Sequence, residues 1–139
     1  MYQISNAGVY QFTCAGDNGK LVSLETLEEF ENFVATVSTK ISANELNKSL
    51  SIEEGRSAYI WLGGTDETSE GGWSWTSGDI FSPEVPWSNL QPNAFGDRQH
   101  YAGLALQDWS AGGEESGLIG EINDLSGSNK LFFVVEWPL

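Results

Sequence analysis

A single mixed domain of helix and strand is what this sequence predicts, on three observations. One segment carries a capped, amphipathic helical pattern. Several short apolar runs read as strands, and between two of them lies a long stretch of Gly, Ser, Thr, Asp and Trp with few regular signals. The length of 139 residues suits one domain, here 1–139, and a chain of that size buries roughly two thirds of its unfolded surface.

Taken in order, Tyr2-Gln-Ile alternates as a short opening strand, and Ser5-Asn-Ala-Gly is a turn. Residues 9–17 suit a short helix ending among the glycines at 16–19, with Cys14 as a small buried residue within it. Lys20-Leu-Val-Ser-Leu is a brief apolar run. Thr26-Leu-Glu-Glu29 has capping-box spacing, so a helix begins there. Leu27, Phe30, Phe33, Val34 and Val37 fall on one face of it, and Glu28, Glu29 and Glu31 on the other. Residues 38–56 are polar and weakly periodic, compatible with a marginal helix or a surface insertion.

Residues 58–62 are strand-like. The irregular stretch that follows runs to Gly96 and contains Trp73, Trp75, Phe81, Trp87 and Phe95, too many aromatic anchors for a disordered segment. Trp73, Trp75 and Trp87 read as anchors of a loop core. Residues 101–106 and 131–137 read as strands closing the sheet, with a shorter one over 117–125.

Twenty acidic residues against six basic give a net charge of −14, which argues against nucleic acid and against an anionic membrane surface, and favours cations. Six Trp, four Tyr and seven Phe supply a core despite that charge. Cys14 and His100 are each alone in kind, so neither a disulfide nor a cysteine-based zinc site is possible within the chain. Met1 leads into Tyr-Gln-Ile with no basic n-region or apolar h-region, and Glu136 interrupts the apolar run at 131–137. Neither a signal peptide nor a membrane insertion is expected. No Ser-His or Cys-His constellation and no phosphate-cradling glycine loop is present, so the chain does not read as an enzyme.

The site-like stretch is 87–99. Gln91 and Asn93 straddle Pro92, and an X-Pro bond is where a cis peptide is cheap. A cis bond would aim both amide carbonyls one way. Converging carbonyl oxygens suit Ca2+, which takes about 6 to 8 oxygen ligands, and Asn123-Asp124 are further oxygen donors. Asp97 and Glu121 are acids that could add charge, Glu121 by sharing a strand face with Asn123.

Trp61-Leu-Gly-Gly-Thr-Asp, Trp73-Ser-Trp, Trp87…Gln91-Pro-Asn, Ile122-Asn-Asp and Phe133-Val-Val-Glu follow the order and approximate spacing of a C-type lectin domain. This resemblance covers residues 2–137. It implies an α+β C-type lectin-like fold with two helices, small antiparallel sheets and a long loop region carrying a calcium and ligand site. Carried over position by position, the calcium ligands are Gln91, Asn93, Gln99, Asn123 and Asp124, and two neighbouring sugar hydroxyls complete the shell. The partner so implied is a glycan or glycoprotein, and the setting is extracellular or cell-surface adhesion.

Departures from the family pattern are as informative. Gln99 and Gln91 stand where glutamates are frequent, which leaves Asp124 the only carboxylate of the five. Ile122 replaces a usual Trp. The lack of disulfides resembles a bacterial or phage branch. Asp66 and Glu70 match the first two positions of an auxiliary calcium site, while Ala94 and His100 fall where further acids are expected. Phe95, two residues past the Gln-Pro-Asn motif, matches an aromatic that stacks on galactose-type sugars, which favours galactose or fucose over mannose. The alternative is a protein-binding module of the same fold with weak or absent calcium dependence.

Overall fold

The structure, a computed structural model, describes residues 2–5, 20–52, 56–66, 71–75, 78–88, 91–92, 99–112 and 115–136. The helix proposed over 9–17, with Cys14, lies outside these residues.

Among the described residues the strands are β1 (Tyr2–Ser5), β2 (Lys20–Leu21), β3 (Tyr59–Thr65), β4 (Ser74–Trp75), β5 (Gln99–Ala105), β6 (Trp109–Gly112), β7 (Glu115–Gly117), β8 (Ile122–Ser126) and β9 (Phe132–Glu136). The main sheet runs β1-β9-β3-β5-β8, with β2 added to β9 and β4 to β3, while β6 and β7 form a separate hairpin. Pairing is antiparallel except between β3 and β9. With one long helix set against largely antiparallel sheets, the architecture is the α+β class expected.

Helix α1 (Leu27–Lys40) starts where the capping box places it, with Thr26 Oγ1 accepting from Glu29 N at 3.1 Å. Phe30, Phe33 and Val37 are buried against Ile60, Leu62, Leu104, Ile122 and Val134 of the sheet. Leu27 departs from the expected face. It remains 43% exposed. The polar stretch after α1 holds a 3-10 helix, Ala43–Lys48, rather than an insertion without structure.

The opposite face of the sheet carries a second cluster of Tyr59, Trp61, Ala105, Trp109, Leu125 and Leu131. Each sheet face therefore has its own core, and strict alternation along β3, β5 and β8 decides which residue joins which. Trp73 and Trp75 are buried with Phe30 and Leu62 in the first cluster, and Phe81 stacks on Trp75 at 4.2 Å between ring centroids. Trp87 packs edge-on to Trp73 at 5.1 Å. In the described part of the irregular stretch these rings pack on one another, as expected of Trp73, Trp75 and Trp87 as anchors.

One expected element divides. Residues 117–125 are the end of β7, a turn through Leu118, Ile119 and Gly120, and then β8. Gly120 takes φ 90°, a left-handed conformation that favours glycine, and Glu121 N donates to Leu118 O at 3.0 Å to close the turn. The β6–β7 hairpin is an element that the sequence pattern does not announce.

Candidate functional site

The site is assembled on one edge of the sheet, where β8 lies between β5 and an irregular strand-like segment. On the β5 side Gln99 pairs with Ser126, Ala102 with Asp124 and Gly103 with Asn123, with a bulge between Gln99 and Tyr101. On the other side Trp87 forms a parallel bridge to Ile122. Ile122 N donates to Pro86 O and Ser88 N to Ile122 O, both at 2.8 Å. Gln91 N then donates to Ser88 O at 3.0 Å, which tethers Gln91 beside the Asn123-Asp124 strand. The Gln91–Pro92 peptide is cis.

Four of the candidate ligands thus lie on neighbouring backbone segments, Gln99 on β5, Asn123 and Asp124 on β8 and Gln91 on the segment bonded to β8, and all are buried. Gln99, Asn123 and Asp124 are fully shielded from solvent and Gln91 is 9% exposed. Asn93 and Phe95 lie outside the described residues, as does Asp97. Alternation places Asn123 on the face shared with Tyr59 and Leu125 and Asp124 on the face toward Ala102, so they present oxygens from either side of one strand.

The donor set suits a hard cation in kind. Gln91 Oε1, Asn123 Oδ1 and Asp124 Oδ1 are buried oxygens that accept no hydrogen bond, although each of these residues makes other interactions. Oxygen atoms so placed match the chemistry of calcium rather than zinc. Charge is scarce, however. Among the described residues no group of three or more His, Cys, Asp or Glu side chains is placed to hold a metal ion, so amide carbonyls would carry most of the coordination.

Glu121 does not supply the missing charge. It precedes β8, and its Oε1 accepts from Leu118 N at 2.8 Å, so the carboxylate closes the Leu118–Gly120 turn. The auxiliary position is also committed elsewhere. Asp66 is buried, with Oδ1 2.9 Å from His100 Nδ1 and Oδ2 accepting from Gly71 N at 2.9 Å. Glu70, its expected companion, lies outside the described residues. His100 is therefore a hydrogen-bond partner of Asp66, a pairing 34 residues apart in sequence that no local pattern encodes.

Tyr59 is a residue near the site that sequence reasoning missed. Its hydroxyl accepts from Asn123 Nδ2 at 3.2 Å. The run at 58–62 identified it as strand, but an apolar run carries no sign of which distant polar group a tyrosine will meet.

A family model described as the lectin C-type domain matches residues 5–112. Among solved structures, the C-type lectin CEL-I from Cucumaria echinata is similar at 17% identity and TM-score 0.63, covering 99% of this chain and 90% of that one. The mouse scavenger receptor C-type lectin carbohydrate-recognition domain gives 19% identity, TM-score 0.66 and coverage of 99% and 89%. Human lithostathine gives 18%, 0.68, and coverage of 99% and 83%. At these identities the structures establish likeness of fold. No curated protein matches the sequence. No helix among the described residues is long and apolar enough to cross a membrane.

Proposed function

Since the chain belongs to the C-type lectin domain family, we propose that it binds a carbohydrate through a calcium ion held at Gln91, Asn93, Gln99, Asn123 and Asp124. The observation that carries this reading is the burial of four oxygen-bearing polar side chains, Gln91, Gln99, Asn123 and Asp124, on β5, β8 and the segment bridged to β8. Buried polar side chains carry hydrogen bonds or ligands, and an oxygen-rich set of this kind is what calcium takes.

In this reading those side chains would hold the ion, and two neighbouring hydroxyls of a terminal sugar would complete its shell. The same amides and the Asp124 carboxylate then serve ion and sugar together, the charged contacts being the stronger. Phe95 stacks on the apolar face of the sugar ring, which favours a galactose-type or fucose-type residue over mannose. The role is recognition without catalysis, in an extracellular or cell-surface setting, on a glycan or glycoprotein. The lack of disulfides fits a bacterial or phage member.

A second reading is favoured by one feature of the site. With Asp124 the only carboxylate among the proposed ligands, the same loops serve protein recognition if calcium is bound too weakly to matter. A glycan array run with calcium and again with chelator separates the two. Calcium-dependent retention on galactose- or fucose-terminated glycans supports the lectin, and an array blank under both conditions refutes it.

A further inference from the structure

We propose that Tyr59 is a positioning residue for the calcium site: its hydroxyl takes the amide hydrogen of Asn123 and so holds the carbonyl oxygen of that amide toward the ion. The inference rests on the calcium reading of the site given above.

An asparagine amide has two ends of nearly the same shape and opposite use. Oδ1 accepts and can ligate a cation, while Nδ2 only donates. A buried Asn123 turned by half a rotation would present N–H groups to the ion. In the structure it is Nδ2 that faces the Tyr59 hydroxyl, donating to it at 3.2 Å, which turns Oδ1 away from the tyrosine. The contact is wholly buried, both residues being fully shielded from solvent. Loss of the acceptor would remove a buried hydrogen bond of this amide, which is costly.

The chain takes some trouble to bring these residues together. Tyr59 is on β3 and Asn123 on β8, with β5 between them. Two strand spacings of ~4.8 Å each separate the backbones. The tyrosine side chain crosses β5 over Gly103, the residue paired with Asn123, and a Cβ there would already lie 3.5 Å from Tyr59 Cδ1.

Tyr59 is also held firmly at its own end. Its N–H donates to Ser49 O at 3.0 Å, and its carbonyl accepts from Ser49 Oγ at 2.5 Å. Trp109 packs against the ring at 6.4 Å between centroids. A phenol so fixed makes a reliable reference point for a rotatable amide two strands away. Outer partners of metal ligands act in this way, and their removal typically weakens metal binding by roughly 10- to 100-fold.

The test is a double-mutant cycle read by calcium titration of the melting temperature, on the wild type, Tyr59→Phe, Asn123→Asp and the double variant. A carboxylate at 123 has an oxygen at both ends and needs no orienting group. Tyr59→Phe should raise the calcium concentration needed for half the melting shift by about tenfold in the wild-type background. In the Asn123→Asp background the same change should move it by less than about twofold, since the two sites are then uncoupled. Melting temperatures without calcium report any purely structural loss separately. Equal calcium response of Tyr59→Phe and wild type overturns the proposal, as does an equal loss in both backgrounds, which would mark Tyr59 as a packing residue. Absence of any response in the wild type removes the calcium reading itself, and this inference with it.

Discussion

Leu125 packs directly on the backbone of Gly103: a Cβ built at Gly103 would lie 2.5 Å from Leu125 Cδ1. Gly103 and Asn123 are register partners and Leu125 lies two residues beyond Asn123 on β8, so this close approach is beside a candidate ligand. Gly103→Ala must push Leu125 aside within a core face that is already full. The expected cost is about 1–3 kcal/mol of stability, the usual range for overpacking, measurable by urea unfolding. Unchanged stability would mean that Leu125 has a second rotamer available at no cost.

Calcium should bind weakly. With one carboxylate among five proposed ligands, the affinity belongs with that of extracellular modules, on the order of 10⁻⁴ to 10⁻³ M. Gln99 is fully buried beside β8, so Gln99→Glu adds charge where the ion needs it and should tighten binding. Calorimetry tests both. Sub-micromolar affinity that survives Asp124→Asn, or weaker binding by Gln99→Glu, would contradict the ligand assignment.

The folded state should gain stability from calcium in proportion to occupancy. Binding to the native state alone adds about 2.7 kcal/mol at ~100 times Kd. The melting temperature should therefore climb well into the millimolar range of calcium. A flat curve, with magnesium equally silent, would favour the calcium-independent reading.

Sugar preference should depend on Phe95. Inhibition by free galactose, fucose and mannose is compared for the parent and for Phe95→Ala. Galactose or fucose should win in the parent, and the alanine variant should lose that advantage together with the aromatic contact. A parent that prefers mannose, or a variant that keeps its galactose affinity, would return Phe95 to an ordinary loop position.

The 3-10 helix carries a small pH-dependent element. Ser42 N donates to Glu45 Oε1 at 3.1 Å and Ser42 Oγ to the same oxygen at 3.0 Å. These bonds, the backbone one first, hold the Glu45 carboxyl below its ordinary value of 4.5. A depressed folded value contributes stability at pH above the unfolded value, and that contribution is lost as pH falls through the folded one. An NMR titration of the Glu45 carboxyl should show a midpoint below 4.5, and Ser42→Ala should move it part of the way back.

What the sequence made legible was local or ordered along the chain. Thr26 and Glu29 are three residues apart, so the helix start could be read from them directly. The Trp61, Trp73, Gln91-Pro92 and Asn123-Asp124 segments were readable because their order is itself the pattern. Pairings that depend on strand neighbours were not. Asp66 meets His100 only because β3 lies against β5, and Tyr59 meets Asn123 only because a glycine lies between. The reading of residues 117–125 as one strand failed at Gly120, whose positive φ turns the chain within an apolar run. That turn also took Glu121 away from the face that alternation had assigned to it, since alternation holds only inside a strand.

The pairing of β1 with β9 sets how the domain bears load. Tyr2 is opposite Glu136 and Ser5 opposite Phe133, so the first and last strands run antiparallel and their outer ends leave the sheet together. Chain joined to both would depart from a single point, as if on one stalk. Tension applied through the two ends acts along the ladder bonds of this pair, which break one after another in the manner of a zipper, starting at Tyr2 and Glu136. The strands that hold the candidate site, β5 and β8, stand on the far side of β3 from this pair, so a modest pull would open the seam before it reached them.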